Sequence, residues 1–361
     1  MKNKIKLFDP FIDKHEERSI IQVLRSKYWA SGSGNGNVLK FEENFNKYIG
    51  SKYCATVNNG TSALQIAASL FDIQKSEVIV PSLSFVATAN AALYNNAKPV
   101  FVDVEPETLC LDPDKIRKAI TKKTKMIIPV HFGGMPANLD EIQEICKEND
   151  LILVEDAAHA AGSKYKGNFI GTHGSVVCFS FHPVKNLAMP TGGALTFNGK
   201  MSSKNFELSK IKRWCGISNR VGAKYDVTEL GWNAYLNEFS AAIGLVQLKK
   251  LNKMNKIRQK TCKRYYKEIN LEKKMPFSSD CSYHLYWIQV KNQKSFRKKM
   301  EEKGIETGIH YLPIHKMKFF QNKTKLPITE EISSHIVSIP IHSNLSDKDV
   351  EKIIKCTNNF S

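Results

Sequence analysis

Short apolar runs alternate with segments of helical apolar spacing through about residue 200, and few folds accommodate that rhythm. Val78-Ile79-Val80, Val100-Phe101-Val102, Met126-Ile127-Ile128-Pro129-Val130 and Leu151-Ile152-Leu153-Val154 have no polar face. Strands apolar on both sides are buried by crossover helices, and the intervening Thr61 to Phe71 and Leu139 to Lys147 have the spacing of such helices. The first expectation is therefore an α/β fold with a mainly parallel sheet. A long helical pattern from Glu238 to Lys260 then bridges to a different region. There a strand-like Tyr286-Trp287-Ile288-Gln289-Val290, a helical Ser295 to Lys303, a loop around Gly308 and a helical stretch near Asp347 to Lys355 read as a small α+β unit. A chain of 361 residues exceeds the usual single-core size. The expected division is a large domain over 1–250, with an N-terminal arm over 1–30, and a small C-terminal domain over 251–361.

The balance of 53 Lys+Arg against 35 Asp+Glu, a formal +18, gives a positive field that draws phosphorylated or nucleotide-linked molecules. The lysines are dispersed rather than striped with aromatics and no nucleic-acid motif appears, so nucleic acid is not the expected partner. Eight cysteines without a CxxC pair or a Cys/His cluster favour reduced thiols over disulfides or a metal site, which points to the cytoplasm. The basic start Met1-Lys2-Asn3-Lys4-Ile5-Lys6 is followed by no apolar stretch, and no segment approaches the roughly 20 apolar residues of a membrane helix.

Chemistry enters at two positions. Asp156 follows Leu151 to Glu155 at the end of a buried run, where an acid is costly without a partner. Lys185, in Ser180-Phe181-His182-Pro183-Val184-Lys185, is delivered from the apolar Val176 to Phe181 and followed by Thr191-Gly192-Gly193-Ala194, which leaves room for close backbone approach. A partly desolvated lysine has a lowered pKa and is a better nucleophile. A lysine that can form a Schiff base, with a carboxylate that keeps a pyridine nitrogen protonated, is what pyridoxal-phosphate chemistry requires. Taken singly, Lys185 also reads as one of many surface lysines.

Other residues gain meaning beside that pair. Asn58-Asn59-Gly60-Thr61-Ser62-Ala63-Leu64 opens a helix, whose first-turn N–H groups and dipole favour a phosphate, although Thr and Ser also suit an ordinary cap. Phe85 lies just beyond the run Val78 to Val80, where ligands of open parallel sheets gather, and can stack on a planar ring or fill a core. His159, in Glu155-Asp156-Ala157-Ala158-His159, can reach a phenolic oxygen or simply bond to backbone.

In order and spacing the chain resembles the DegT/DnrJ/EryC1/StrS family, nucleotide-sugar aminotransferases of the fold-type I pyridoxal-phosphate class. The likeness runs nearly end to end, through Tyr28-Trp29-Ala30-Ser31-Gly32, Asn59-Gly60-Thr61-Ser62-Ala63-Leu64, Pro81-Ser82-Leu83-Ser84-Phe85 and Pro129-Val130-His131-Phe132-Gly133-Gly134. It continues through Glu155-Asp156-Ala157-Ala158-His159, Ser180 to Lys185, Gly231-Trp232-Asn233 and Gly308-Ile309-His310-Tyr311-Leu312-Pro313-Ile314-His315.

The resemblance implies a large domain with a mainly parallel seven-stranded sheet, a smaller C-terminal α+β domain, and pyridoxal 5'-phosphate (PLP) as cofactor. It makes Lys185 the Schiff-base lysine and proton shuttle, Asp156 the ring-nitrogen partner, His159 the phenolic-oxygen contact and Phe85 the stacking ring. Gly60, Thr61, Ser62 and Ser180 would hold the phosphate, and Asn233 would be lent to the phosphate of a neighbouring subunit, giving a homodimer with shared active sites. His182, His310 and His315 are candidates for substrate contact.

The implied reaction is a ping-pong transfer: L-glutamate loads the cofactor and leaves as 2-oxoglutarate, and the amine passes to a nucleotide-linked keto-deoxy sugar. His182-Pro183 before the lysine favours C4 over C3. Products of such chemistry enter surface polysaccharides, glycoproteins and some antibiotics. Two other readings are a PLP-dependent sugar dehydratase of the same family, in which histidine replaces the lysine, and a non-catalytic PLP-fold sensor. Where many relatives read Thr-Thr-Gly-Glu-Gly-Gly and Asn-Tyr-Arg, this chain has Ala188-Met189-Pro190-Thr191-Gly192-Gly193 and Asn233-Ala234-Tyr235, which implies a distinctive substrate pocket.

Overall fold

The structure, a computed structural model, describes residues 4–320 and 324–361. Its centre is a seven-stranded sheet of β1 (Tyr53–Val57), β2 (Glu77–Pro81), β3 (Lys98–Val102), β4 (Thr124–Ile127), β5 (Ile152–Asp156), β6 (Val176–Ser180) and β7 (Gly193–Phe197), in the order β1-β7-β6-β5-β4-β2-β3. The pairs β3/β2, β2/β4, β4/β5 and β5/β6 are parallel, whereas β7 runs antiparallel to both β6 and β1.

The apolar runs are strands because both faces are covered. In β2, Val78 and Val80 enter one buried cluster and Ile79 the opposite one; Met126 and Ile127 divide the same way in β4. This is the alternation that a two-fold strand period imposes. Helices Gly60–Ser69 and Ala87–Tyr94 cover one face with small and aliphatic side chains, and Leu139–Glu148 covers the other through Ile142 and Ile145. The run Met126 to Val130 forms regular ladder only to Ile127, because Pro129 has no N–H to give; pairing resumes at the Val130–Asp156 bridge.

The C-terminal residues share a core with this sheet. Strands Tyr286–Gln289 and Ile336–Ile339 pair antiparallel, and their Trp287 and Ile339, with Ile353 of helix Asp347–Phe360, join the cluster that contains Ile79 and Ile127. A 31-residue helix, Glu238–Glu268, links the two regions and contributes Cys262 and Tyr265 to that cluster. The first residues are pinned onto the C-terminal region: Ile5 bridges Ile305, and Lys6 carbonyl accepts from His342 Nε2 at 3.1 Å. Helix Lys14–Ser26 follows with a capping box between Asp13 and Glu16, and Glu16 is held by Lys250 at 2.7 Å. Among the described residues no helix is long and apolar enough to cross a membrane.

Candidate active site

The carboxyl ends of β5 and β6, the first turn of helix Gly60–Ser69 and the segment around Tyr311 enclose a cavity of about 420 Å³. Ligands of open parallel sheets collect at this end, where loops diverge and helix N-termini converge.

Asp156 closes β5 and is buried at the cavity wall. Thr88 hydroxyl donates to its Oδ2 at 2.7 Å and Ala158 N–H to its Oδ1 at 3.0 Å. Burial nevertheless raises its pKa, because these neutral donors do not compensate for lost water. Behind it, His131 Nδ1 accepts from Ala137 N–H at 3.1 Å, so the ring proton lies on Nε2 and is donated to Glu155 at 2.8 Å; both side chains are fully buried. Among the described residues the hydrogen bonds to the Asp156 carboxylate thus come from neutral donors, and the charge of Lys185 acts on it without a direct bond.

Lys185 sits in the loop beyond β6, with its N–H bonded to His182 carbonyl at 2.8 Å. The side chain is half-buried and its amine pKa is lowered to about 8, first by burial, with the Asp156 charge acting in the opposite direction. Its Nζ lies 3.4 Å from His284 Nε2. His159 Nδ1 accepts from Gly133 N–H at 3.2 Å, which puts its proton on Nε2, facing Tyr311 hydroxyl at 3.1 Å. Burial, and secondarily the charge of Lys185, holds the His159 pKa well below its ordinary value. His310, lining the same cavity, is lowered to about 4 for the same two reasons. The imidazoles facing Lys185 are therefore neutral near pH 7.

Gly60, Thr61 and Ser180 form one end of the cavity. The helix and strand meet too closely for a side chain: a Cβ on Gly60 would stand 2.7 Å from Ser180 Cβ, and one on Gly193 2.5 Å from Asn59 carbonyl. Phe85, at the rim, is 56% exposed despite its size, with its ring 6.2 Å from that of Tyr311.

Of the residues expected from the sequence, Gly60, Thr61, Phe85, Asp156, His159, Ser180, His182, Lys185 and His310 all line this cavity. Three lie elsewhere. The backbone N–H of Ser62 is taken by the N-cap side chain of Asn59 at 2.8 Å, and Ser62 is not among the residues that line the cavity. His315 is buried between Ser82 Oγ at 2.6 Å and Glu330 at 3.2 Å. Asn233 is exposed and bridges Trp214 rather than facing its own chain's cavity. Sequence reasoning passed over Thr88, His284 and Tyr311; Tyr311 stands beside His310 in a segment that was recognised, while Thr88 and His284 gain their meaning only from folding.

The cavity offers a buried acid bonded to neutral donors, a lowered-pKa amine, an anion-ready helix start lined by hydroxyls and an exposed aromatic face. Those four features fit a phosphorylated pyridine aldehyde. A mainly parallel seven-stranded sheet reversed at β7, with this site at its carboxyl ends, is the fold-type I class of PLP-dependent transferases. The chain belongs to the DegT/DnrJ/EryC1/StrS aminotransferase family, whose sequence profile matches residues 10–358. It is 32% identical over 364 residues to GDP-perosamine synthase of Escherichia coli O157:H7, covering 99% of this chain and 98% of that one. It superposes with a TM-score of 0.92 on Helicobacter pylori PseC, an aminotransferase involved in the biosynthesis of pseudoaminic acid, at 28% identity over 99% of each chain. The PMP-form of the putative sugar aminotransferase Spr1654 from Streptococcus pneumoniae matches with a TM-score of 0.93 at 25% identity, covering 99% and 98% of the two chains. The chain is a PLP-dependent sugar aminotransferase.

Proposed function

We propose that the protein moves an amino group from L-glutamate to the ketone of a nucleotide-linked keto-deoxy sugar, at C4 rather than C3, in two half-reactions sharing one site. Bound PLP supplies the electron sink for both. The residues of the chain divide the remaining work. Asp156 holds the positive charge of the ring nitrogen, Gly60, Thr61 and Ser180 take the phosphate, and His159 Nε2–H is the donor for the phenolic oxygen. Phe85 covers the ring face. Lys185 Nζ takes the proton from the donor's α-carbon and returns one to the former carbonyl carbon of the sugar.

The observation that carries this reading is the juxtaposition of Lys185 and Asp156 in one cavity, the amine lowered to about 8 and the acid raised by burial. An amine titrating near neutrality can both accept and release protons there. The exposed Asn233 supports a dimer in which each subunit completes the other's phosphate site, and the large positive net charge favours a diphosphate-bearing sugar. Carbon-13 NMR of the product from a nucleotide-linked 4-keto sugar and glutamate checks the regiochemistry: the nitrogen-bearing carbon should be C4, and an amine at C3 would refute that part.

A further inference from the structure

Lys185 has a neighbour to which the reading above gives no task. His284 is 2% exposed, with its backbone N–H on Gly133 carbonyl at 2.8 Å and its Nε2 3.4 Å from Lys185 Nζ. Its ring is stacked on Phe8 of the N-terminal arm, centroids 5.4 Å apart at 15°, and lies 4.4 Å from the ring of His159. Among the described residues its buried Nδ1 has no hydrogen-bond partner.

A neutral imidazole has one N–H and one lone pair. If the proton were on Nε2, it would oppose an ammonium on Lys185, donor against donor. With the proton on Nδ1, the lone pair of Nε2 accepts from the ammonium, and a buried N–H is left unpaired, a known cost. The arrangement makes sense where the amine, rather than Nδ1, decides the tautomer. Phe8 and His159 fix the plane of the ring, so the lone pair stays aimed at Nζ.

We infer that His284 is a positioning residue that receives the ε-ammonium of Lys185 whenever the lysine is not joined to the cofactor. In an aminotransferase the lysine lets go once per half-reaction, and an unheld chain of this length would wander among its rotamers and lose alignment with the reacting carbon. This inference rests on the aminotransferase reading but concerns the free lysine alone.

The test uses the protein without PLP. The pH dependence of Lys185 labelling by fluorodinitrobenzene, followed by mass spectrometry of its peptide, gives the amine's midpoint. The other groups that bear on the pair are Asp156 and His182 on the Lys185 side, and His159, His310 and Arg258 on the His284 side. An acceptor stabilises the ammonium, so His284→Phe should lower the midpoint by about one pH unit, while His284→Gln, which offers a carbonyl oxygen, should restore it to within about 0.3. A midpoint unchanged in both variants, or lowered equally in both, overturns the proposal. Should both fail to fold, nitrogen-15 spectra of wild type and Lys185→Met decide it: the His284 Nε2 resonance should move when the amine is removed, and an unmoved signal overturns the proposal. No amino donor or sugar is present, so failure here leaves the transferase reading intact, and the converse also holds.

Discussion

Asp156 shows how a buried charge can be costly in one state and required in another. Among the described residues its carboxylate accepts hydrogen bonds from a hydroxyl and a backbone N–H, and burial raises its pKa against the lowering effect of these bonds and of the Lys185 charge. A group with a raised folded-state pKa stabilises the fold fully below its unfolded value, about 4 for a carboxylic acid, and that contribution is lost as pH rises through the folded value. Asp156→Asn removes the ionisation while keeping the shape. Cofactor-free protein carrying it should therefore lose less thermal stability than wild type between acid and neutral pH, as scanning calorimetry would record. The same variant should bind PLP more weakly by on the order of 10- to 100-fold, since a charge-assisted contact contributes roughly 1.5 to 3 kcal/mol. A variant that binds PLP as tightly as wild type would show that the ring nitrogen finds its partner elsewhere.

At the scale of elements, the close approach of helix Gly60–Ser69 to β6 and β7 shapes the end of the cavity lined by Gly60, Thr61 and Ser180, proposed above to take the phosphate. Gly60→Ala would drive a methyl into Ser180, and relieving the clash moves the helix start away from the strand. The expected cost is about 1 to 3 kcal/mol of stability, seen as a lower denaturation midpoint together with weaker PLP retention. The strands themselves were legible in the sequence because burial on both faces leaves them continuously apolar, and Asp156 stood out for the same reason, as an acid where no acid is cheap. The roles within the first helical turn were less legible: Thr and Ser after Asn59 suit a phosphate site and a cap equally, and in the fold Thr61 lines the cavity while the backbone N–H of Ser62 is taken by the Asn59 cap. His284 and Tyr311 reach the site from the far end of the chain, so nothing in their local sequence distance announces Lys185 or His159 as neighbours. His315 carries the motif but is drawn into a buried bond with Ser82, which satisfies its ring away from the cavity.

At the scale of the whole molecule, the C-terminal region, the N-terminal arm and the large sheet close around one site, and Asn233 is not among the residues that line it within a single chain. If the partner subunit supplies that side chain, then Lys185→Ala and Asn233→Ala proteins, each impaired alone, should regain activity when their subunits are exchanged. A mixed dimer contains one doubly damaged and one intact site, so about half the wild-type turnover per mixed dimer is expected; no recovery would show that Asn233 does not act across the subunits. The most direct measurement on the account as a whole is the absorption spectrum of the PLP-loaded protein before and after L-glutamate, in wild type and Lys185→Ala. Wild type should lose the band of lysine-bound PLP, gain that of pyridoxamine phosphate and release 2-oxoglutarate in equal amount, while Lys185→Ala, still folded, should show no lysine-bound band and no turnover. A wild-type band indifferent to glutamate and every other amino donor, or a Lys185→Ala protein that turns over undiminished, would contradict it.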